Sequence, residues 1–164
     1  MTKPFVTAER LRELFNYNPE TGVFTRLVSV SDNAKAGDIA GTMNSGGYMK
    51  IVVCGRLYQS HRLAWLYVYG RWPAHEIDHI NGIRTDNRIE NLRDVIPSTN
   101  KQNQRNANSN NKLGLLGVTR RSQGFHAQIR INGKCTYLGT FPTGEQAHAA
   151  YLDAKRKNHS GYML

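Results

Sequence analysis

Asp78 and His79 are adjacent, and side by side they offer two complementary chemistries. A carboxylate holds a hard divalent cation, and a neutral imidazole takes a proton from water. The pair lies in an expected short strand, Glu76–Ile80, just ahead of the turn pair Asn81-Gly82. Neighbours on a regular strand point to opposite faces, so both side chains serve one site only where the strand bends or ends. Ile89-Glu-Asn-Leu-Arg93 reads as the returning strand. Pro97-Ser98-Thr99 then opens a helix, with Asn100 in its first turns. A hairpin followed by a helix would bring Asp78, His79 and Asn100 together.

Other elements must hold that hairpin. Thr7 is placed to cap a short helix over 7–15, with Leu11, Leu14 and Phe15 on one face. Asn18-Pro-Glu-Thr-Gly22 is a turn, and Phe24 to Val30 alternates as a strand does. Residues 48–53 and 56–58 flank Cys54-Gly55 as a β-hairpin. Residues 60–69 have helical spacing, with Ser60 as the expected cap and Gly70 and Pro73 as the stop.

From Ala74 to about Asn106 few residues can fill a core, and 105–112 are almost wholly polar. After this stretch, 117–121, 126–131 and 134–141 read as three strands, with turns at Gln123-Gly124 and Asn132-Gly133. Residues 143–157 read as a helix capped by Thr143, with Ala147, Ala150, Tyr151 and Ala154 facing the sheet. The fold class is therefore α+β.

The bulk numbers narrow the classes of function. The chain has 164 residues, room for one ordinary domain or two small ones. No apolar run approaches the ~18 residues of a membrane span, and the first ten residues have no signal-peptide core. No membrane partner and a cytoplasmic location are expected. Two cysteines far apart, Cys54 and Cys135, give no Cys-x-x-Cys pair, which argues against a structural zinc site; they read as small, partly buried residues. A net charge of +10 attracts polyanions.

The central segment resembles the HNH endonucleases, in their phage homing-endonuclease branch. The matching residues are His61-Arg62-Leu63, then Asp78-His79 with Asn81-Gly82, then Asp86-Asn87-Arg88 and Asn91-Leu92-Arg93, then Asn100. The likeness extends back over Asn18–Phe24, Gly46-Gly47-Tyr48 and Trp65–Pro73. It implies a ββα-metal (His-Me finger) nuclease domain over 1–106, its core at about 74–106. His79 matches the general base, and Asp78 and Asn100 match the metal ligands. Asn91 matches the middle asparagine, which braces the loop between the strands and so orients His79; Asn87 competes for that role, with a turn residue as its other reading, and spacing from His79 favours Asn91. Many family members have histidine where Asn100 stands. An oxygen-only set favours Mg²⁺ or Mn²⁺. Arg84, Arg88 and Arg93 read as phosphate contacts. His61 fits a family position, with packing at least as good a reading as a catalytic role.

Residues 113–164, after a linker at 107–112, resemble the AP2/ERF DNA-binding domain. The pieces are Leu116-Gly117-Val118 with Arg120-Arg121, Ala127–Arg130, Tyr137–Phe141 and the alanines of the last helix. The resemblance implies a three-stranded antiparallel sheet laid in the major groove with a helix behind it. The expected contacts are Arg121, Arg130, Lys134 and Tyr137, with Arg120 on a phosphate. Thr119, Gln123 and Cys135 depart from the plant domains' pattern, so their target sequence does not carry over.

The function expected is a metal-dependent endonuclease on double-stranded DNA, nicking one strand or cutting both, with no small-molecule substrate. The alternative is a DNA-binding regulator with an inactive nuclease half. Oligomeric state and target sequence are not legible at this level.

Overall fold

The structure, a computed structural model, describes residues 5–102, 107 and 111–159. It is mixed α and β and divides into two compact units between Ile96 and Pro97. The polar segment expected as a linker, 107–112, has residues 108–110 outside the described set. No described helix is long and apolar enough to cross a membrane.

The first unit opens with helix α1 (Ala8–Leu14), capped by Thr7, whose hydroxyl accepts from Arg10 N. Phe15, expected on that helix, instead begins strand β1 (Phe15–Asn18), which pairs antiparallel with β2 (Val23–Arg26). The strand expected over 24–30 thus ends at Arg26. Phe15 and Tyr17 alternate inward with Phe24, and the three rings pack in one cluster.

A three-stranded sheet follows, in the order β3 (Thr42–Met43), β4 (Met49–Val53), β5 (Arg56–Gln59). Cys54 and Gly55, with φ of 50° and 73°, make the two-residue hairpin turn between β4 and β5. Helix α2 (Ser60–Tyr69) leaves β5 directly. Ser60 is its first helical residue, not its cap: Gln59 holds that position with no side-chain hydrogen bond. Leu63 and Leu66 of α2 join Leu11, Ile51 and Val53 in the core. Burying each such side chain is worth about 1.5–3 kcal/mol, which locks α2 onto the sheet.

Strands β6 (Glu76–His79) and β7 (Leu92–Val95) form the last hairpin of this unit. Residues 89–91, expected as strand, form one 3-10 turn that feeds β7. Ile77 and Leu92 anchor the hairpin in the same core.

The second unit begins with helix α3 (Pro97–Gln102). Its sheet has the order β10-β9-β8, from β8 (Val118–Arg121), β9 (Gly124–Ile131) and β10 (Lys134–Phe141). Asn132-Gly133 turns β9 into β10 with both residues at positive φ. Gly124 starts β9 rather than closing the preceding turn. Helix α4 (Gly144–Asn158), capped by Thr143, buries Ala147 with Val118 and Ala127. Cys54 and Cys135 are both free thiols and exposed, contrary to the expected partial burial.

Candidate active site

Strand β6 stops at His79, and its last two side chains, Asp78 and His79, are 7% and 5% exposed. The strand end is what lets two neighbouring residues be buried in one region. Burying a charged carboxylate is costly unless it is paired. Arg93, opposite Asp78 in the β6–β7 register, donates from Nε at 2.9 Å and Nη2 at 2.7 Å, both to Asp78 Oδ2.

His79 Nε2 lies 3.1 Å from Asn87 Oδ1. Asn87 Nδ2 points at the Thr85 carbonyl, 3.4 Å away, which fixes Oδ1 as the atom facing the ring. A carbonyl oxygen only accepts, so His79 Nε2 carries the proton and Nδ1 the lone pair. Burial pushes the His79 pKa down, against the pull of the Asn87 hydrogen bond and of Asp78 and Asp86. The ring is therefore held neutral with Nδ1 basic, the state a general base requires.

The loop between His79 and Asn91 is closed by its own polar groups. Asn91 Oδ1 accepts from Asn81 N at 2.9 Å, and Asn91 Nδ2 donates to Asp86 O at 2.8 Å. Ile80 N also donates to Asn91 O, at 2.9 Å. Asp86 accepts from Asn81 Nδ2 and twice from the Arg88 guanidinium, and these bonds hold its carboxyl down at about 2. The two asparagines thus divide the work: Asn91 ties the loop, and Asn87 holds the histidine ring.

The N-terminal hairpin buttresses this loop. Tyr17 Oη donates to Asn87 O at 2.7 Å. Gly22, at φ +72°, lies so close that a Cβ there would sit 2.5 Å from Arg88 N. Only glycine tolerates both the conformation and the approach. The turn at 18–22, legible in the sequence as a mere connection, is thus a support for Asn87.

A second imidazole flanks the first. His61, on the first turn of α2 and 6% exposed, has its ring centroid 5.1 Å from that of His79, at 83° between the planes. Tyr48 lies against both rings, at 5.5 Å from His61 and 6.0 Å from His79. Arg84 covers Tyr48, 5.0 Å from its centroid, and donates to Gly46 O. Nothing in the residue types of Tyr48 signals this; only the pairing of β3 with β4 brings it there.

The other expected residues fall as follows. Arg88 spends its guanidinium on Asp86 and Glu90, and Arg93 on Asp78. Asn100 lies on α3, half-buried, in the second unit. In the second sheet, Ala127 and Ile129 are buried while Gln128 and Arg130, which alternate with them, are exposed. By register, Arg121, His126, Arg130 and Tyr137 share the face away from α4. Lys134 and Arg120 fall on the other parity, paired with Ile131 and Phe125, and the Arg120 guanidinium lies 5.8 Å from the Phe125 centroid.

Among the described residues no group of three or more His, Cys, Asp or Glu is placed to hold a metal ion. That is not the donor set of a closed all-protein cage. One buried carboxylate fits a Mg²⁺-type ion, which takes one or two carboxylates and completes its shell with water and phosphate oxygens.

Residues 58–105 match the family model described as HNH endonuclease. No curated protein and no solved structure matches the chain. The matched span contains His61, Asp78, His79, Asn87 and Asn91, so the segment that builds this buried centre is similar to the HNH endonucleases, a family of DNA-cleaving hydrolases.

Proposed function

We propose that the protein is a metal-dependent DNA endonuclease of the homing type, with His79 as general base and Asp78 and Asn100 as the ligands of Mg²⁺ or Mn²⁺. The observation that carries this reading is the Asn87–His79 hydrogen bond. It leaves the basic nitrogen on the Nδ1 side of a neutral, buried ring, one residue from a buried carboxylate. Asn100 enters by its place in the sequence pattern.

In the proposed reaction, His79 Nδ1 takes a proton from water as the oxygen attacks phosphorus. The new P–O bond forms as the bond to the 3′ oxygen breaks, and the leaving oxygen is protonated by solvent. The products are a 5′-phosphate and a 3′-hydroxyl. Asp78 and Asn100 would hold the divalent cation, which would supply stabilisation of the negative charge that develops during the reaction. Asn87 orients the base, Asn91 holds the loop, and Arg93 pairs with the Asp78 carboxylate.

The β6–β7 hairpin, and a helix after it in sequence, support the ββα-metal reading. The second unit, AP2-like in this reading, docks on duplex DNA through the sheet face bearing Arg121, Arg130 and Tyr137. Tethering a docking unit raises the local concentration of the catalytic one. A second reading, a DNA-binding regulator whose nuclease half does not cut, is favoured by one observation: Arg93 already occupies Asp78 Oδ2.

Cleavage of supercoiled plasmid in Mg²⁺ separates the two. The wild-type chain is expected to nick or linearise the plasmid, chelator to stop it, and His79→Ala to slow it by about 10²–10⁴-fold, the usual worth of a general base. Cleavage by His79→Ala at the wild-type rate would overturn the assignment, and no cleavage by either would favour the regulator.

A further inference from the structure

A buried titratable side chain beside the base is not used in the mechanism above. His61 is 6% exposed, and its Nδ1 is buried with no hydrogen-bond partner among the described residues. Buried polar atoms are nearly always paired, so this one calls for an explanation. A leucine would bury no polar atom there, but it presents no flat ring to the imidazole beside it.

The neighbours of His61 supply the explanation. His79 is held by the Asn87 hydrogen bond at Nε2. That bond fixes one edge of the ring, while the tilt of the ring plane, and so the direction of Nδ1, is set by what packs against its faces. The His61 ring stands nearly perpendicular to that of His79 at 5.1 Å, and Tyr48 closes against both. Helix α2, which carries His61, is anchored by Leu63, Ala64 and Leu66 in the core. A wall on a rigid helix is what holds a functional ring to within a few tenths of an ångström.

We infer that His61 is a positioning residue for His79: with Tyr48 it fixes the plane of the base and so the direction of Nδ1. The inference rests on the nuclease reading for its consequence in catalysis, and on the ring geometry alone for the placement of His79. Burial and the neighbouring His79 and Arg62 push the His61 pKa down to about 3, which keeps the wall uncharged beside the base.

The test uses the full-length chain with ¹⁵N-labelled histidine and two readouts. In the wild type, the ring nitrogens of His79 should report one tautomer, protonated at Nε2. His61→Ala should leave the fold intact by circular dichroism, put His79 into exchange between tautomers, and lower kcat roughly ten- to a hundredfold at unchanged KM for plasmid DNA. Val68→Ala, on the exposed side of the same helix, should leave both the His79 spectrum and kcat near wild type. An unchanged His79 spectrum in His61→Ala, or an equal kcat loss in Val68→Ala, would overturn the inference. Should His61→Ala not fold, His61→Phe retains a ring and should retain both the tautomer and most of kcat; loss of the tautomer there overturns it. A wild-type chain that cleaves nothing, while His61→Ala still releases the His79 ring, refutes the nuclease reading and leaves the positioning intact.

Discussion

Arg93 gives two hydrogen bonds to a single oxygen of Asp78, Oδ2, across the β6–β7 hairpin. The guanidinium therefore sits where a cation would profit from the same carboxylate, and the two compete for it. Replacing Arg93 with Met should raise the affinity for Mn²⁺ while lowering the stability of the metal-free chain by about 1–3 kcal/mol, since charge-assisted hydrogen bonds are lost. Thermal melts with and without Mn²⁺ read both effects. The rise in Tm on adding Mn²⁺ should be larger in Arg93→Met than in the wild type, and equal rises would remove the competition.

The two asparagines of the loop should separate by readout. Asn91 makes two partly buried hydrogen bonds that close the loop, so Asn91→Ala should cost about 1–3 kcal/mol of stability. Asn87 acts on the His79 ring, so Asn87→Ala should lower kcat about tenfold or more with a smaller effect on Tm. Denaturant titration beside plasmid kinetics would expose the opposite pattern if the roles were exchanged.

Stability should fall on mild acidification, and His61 is one reason. Its folded pKa is pushed down to about 3, while in the unfolded chain it titrates near the ordinary imidazole value of about 6.5. Below about 6.5 the unfolded state binds a proton that the folded state refuses, so stability present at neutral pH is lost as pH falls from about 6.5 toward 3. The buried His79, also pushed down, acts in the same direction. Each such histidine contributes a slope of up to about 1.4 kcal/mol per pH unit. Urea midpoints at pH 7.5, 6 and 5 measure the fall, and His61→Phe should flatten it.

Gly22 should tolerate no side chain. Gly22→Ala meets both an unfavourable φ and a Cβ position 2.5 Å from Arg88 N. A loss of at least ~2 kcal/mol is expected, together with weaker cleavage, because the displaced backbone is that of Asn87 and Arg88. A change in Tm of under a degree would show that the loop gives way freely.

On the second unit, Arg121→Ala and Arg130→Ala should each weaken binding to duplex DNA and reduce the salt slope of log K by about 0.9, the loss of one phosphate contact. Arg120→Ala and Lys134→Ala, on the other parity of the sheet, should have smaller effects. Fluorescence anisotropy from 50 to 200 mM salt distinguishes the pairs. Equal slopes for all four would deny the sheet face its role.

How far the sequence reaches can be judged from particular residues. Thr7 and Thr143 cap their helices as expected, because a cap is a local hydrogen bond within a few residues. The turns at Cys54-Gly55 and Asn132-Gly133 were legible for the same reason. Ser60 has the residue type of a cap and 89–91 the pattern of a strand, yet neither forms, because tertiary packing outweighs weak local preference. The contacts of Asn87 and His61 are not legible in the sequence. Their partner is His79, and no short-range pattern states which of two nearby asparagines faces a ring.

The sequence by itself determined the chemistry on offer: an adjacent carboxylate and imidazole at a strand end, a turn after them, and basic strands in a second unit. Residue type and spacing suffice for that, since they set which groups lie within a few residues of one another. Only the tertiary structure decided what surrounds them. Arg93 reaches Asp78 through strand pairing, Asn87 meets His79 because Tyr17 and Gly22 press the loop from the N-terminal hairpin, and His61 and Tyr48 meet His79 from another helix and another sheet. These contacts join residues up to seventy positions apart, and their geometry is set by how the elements pack, which no local segment specifies alone.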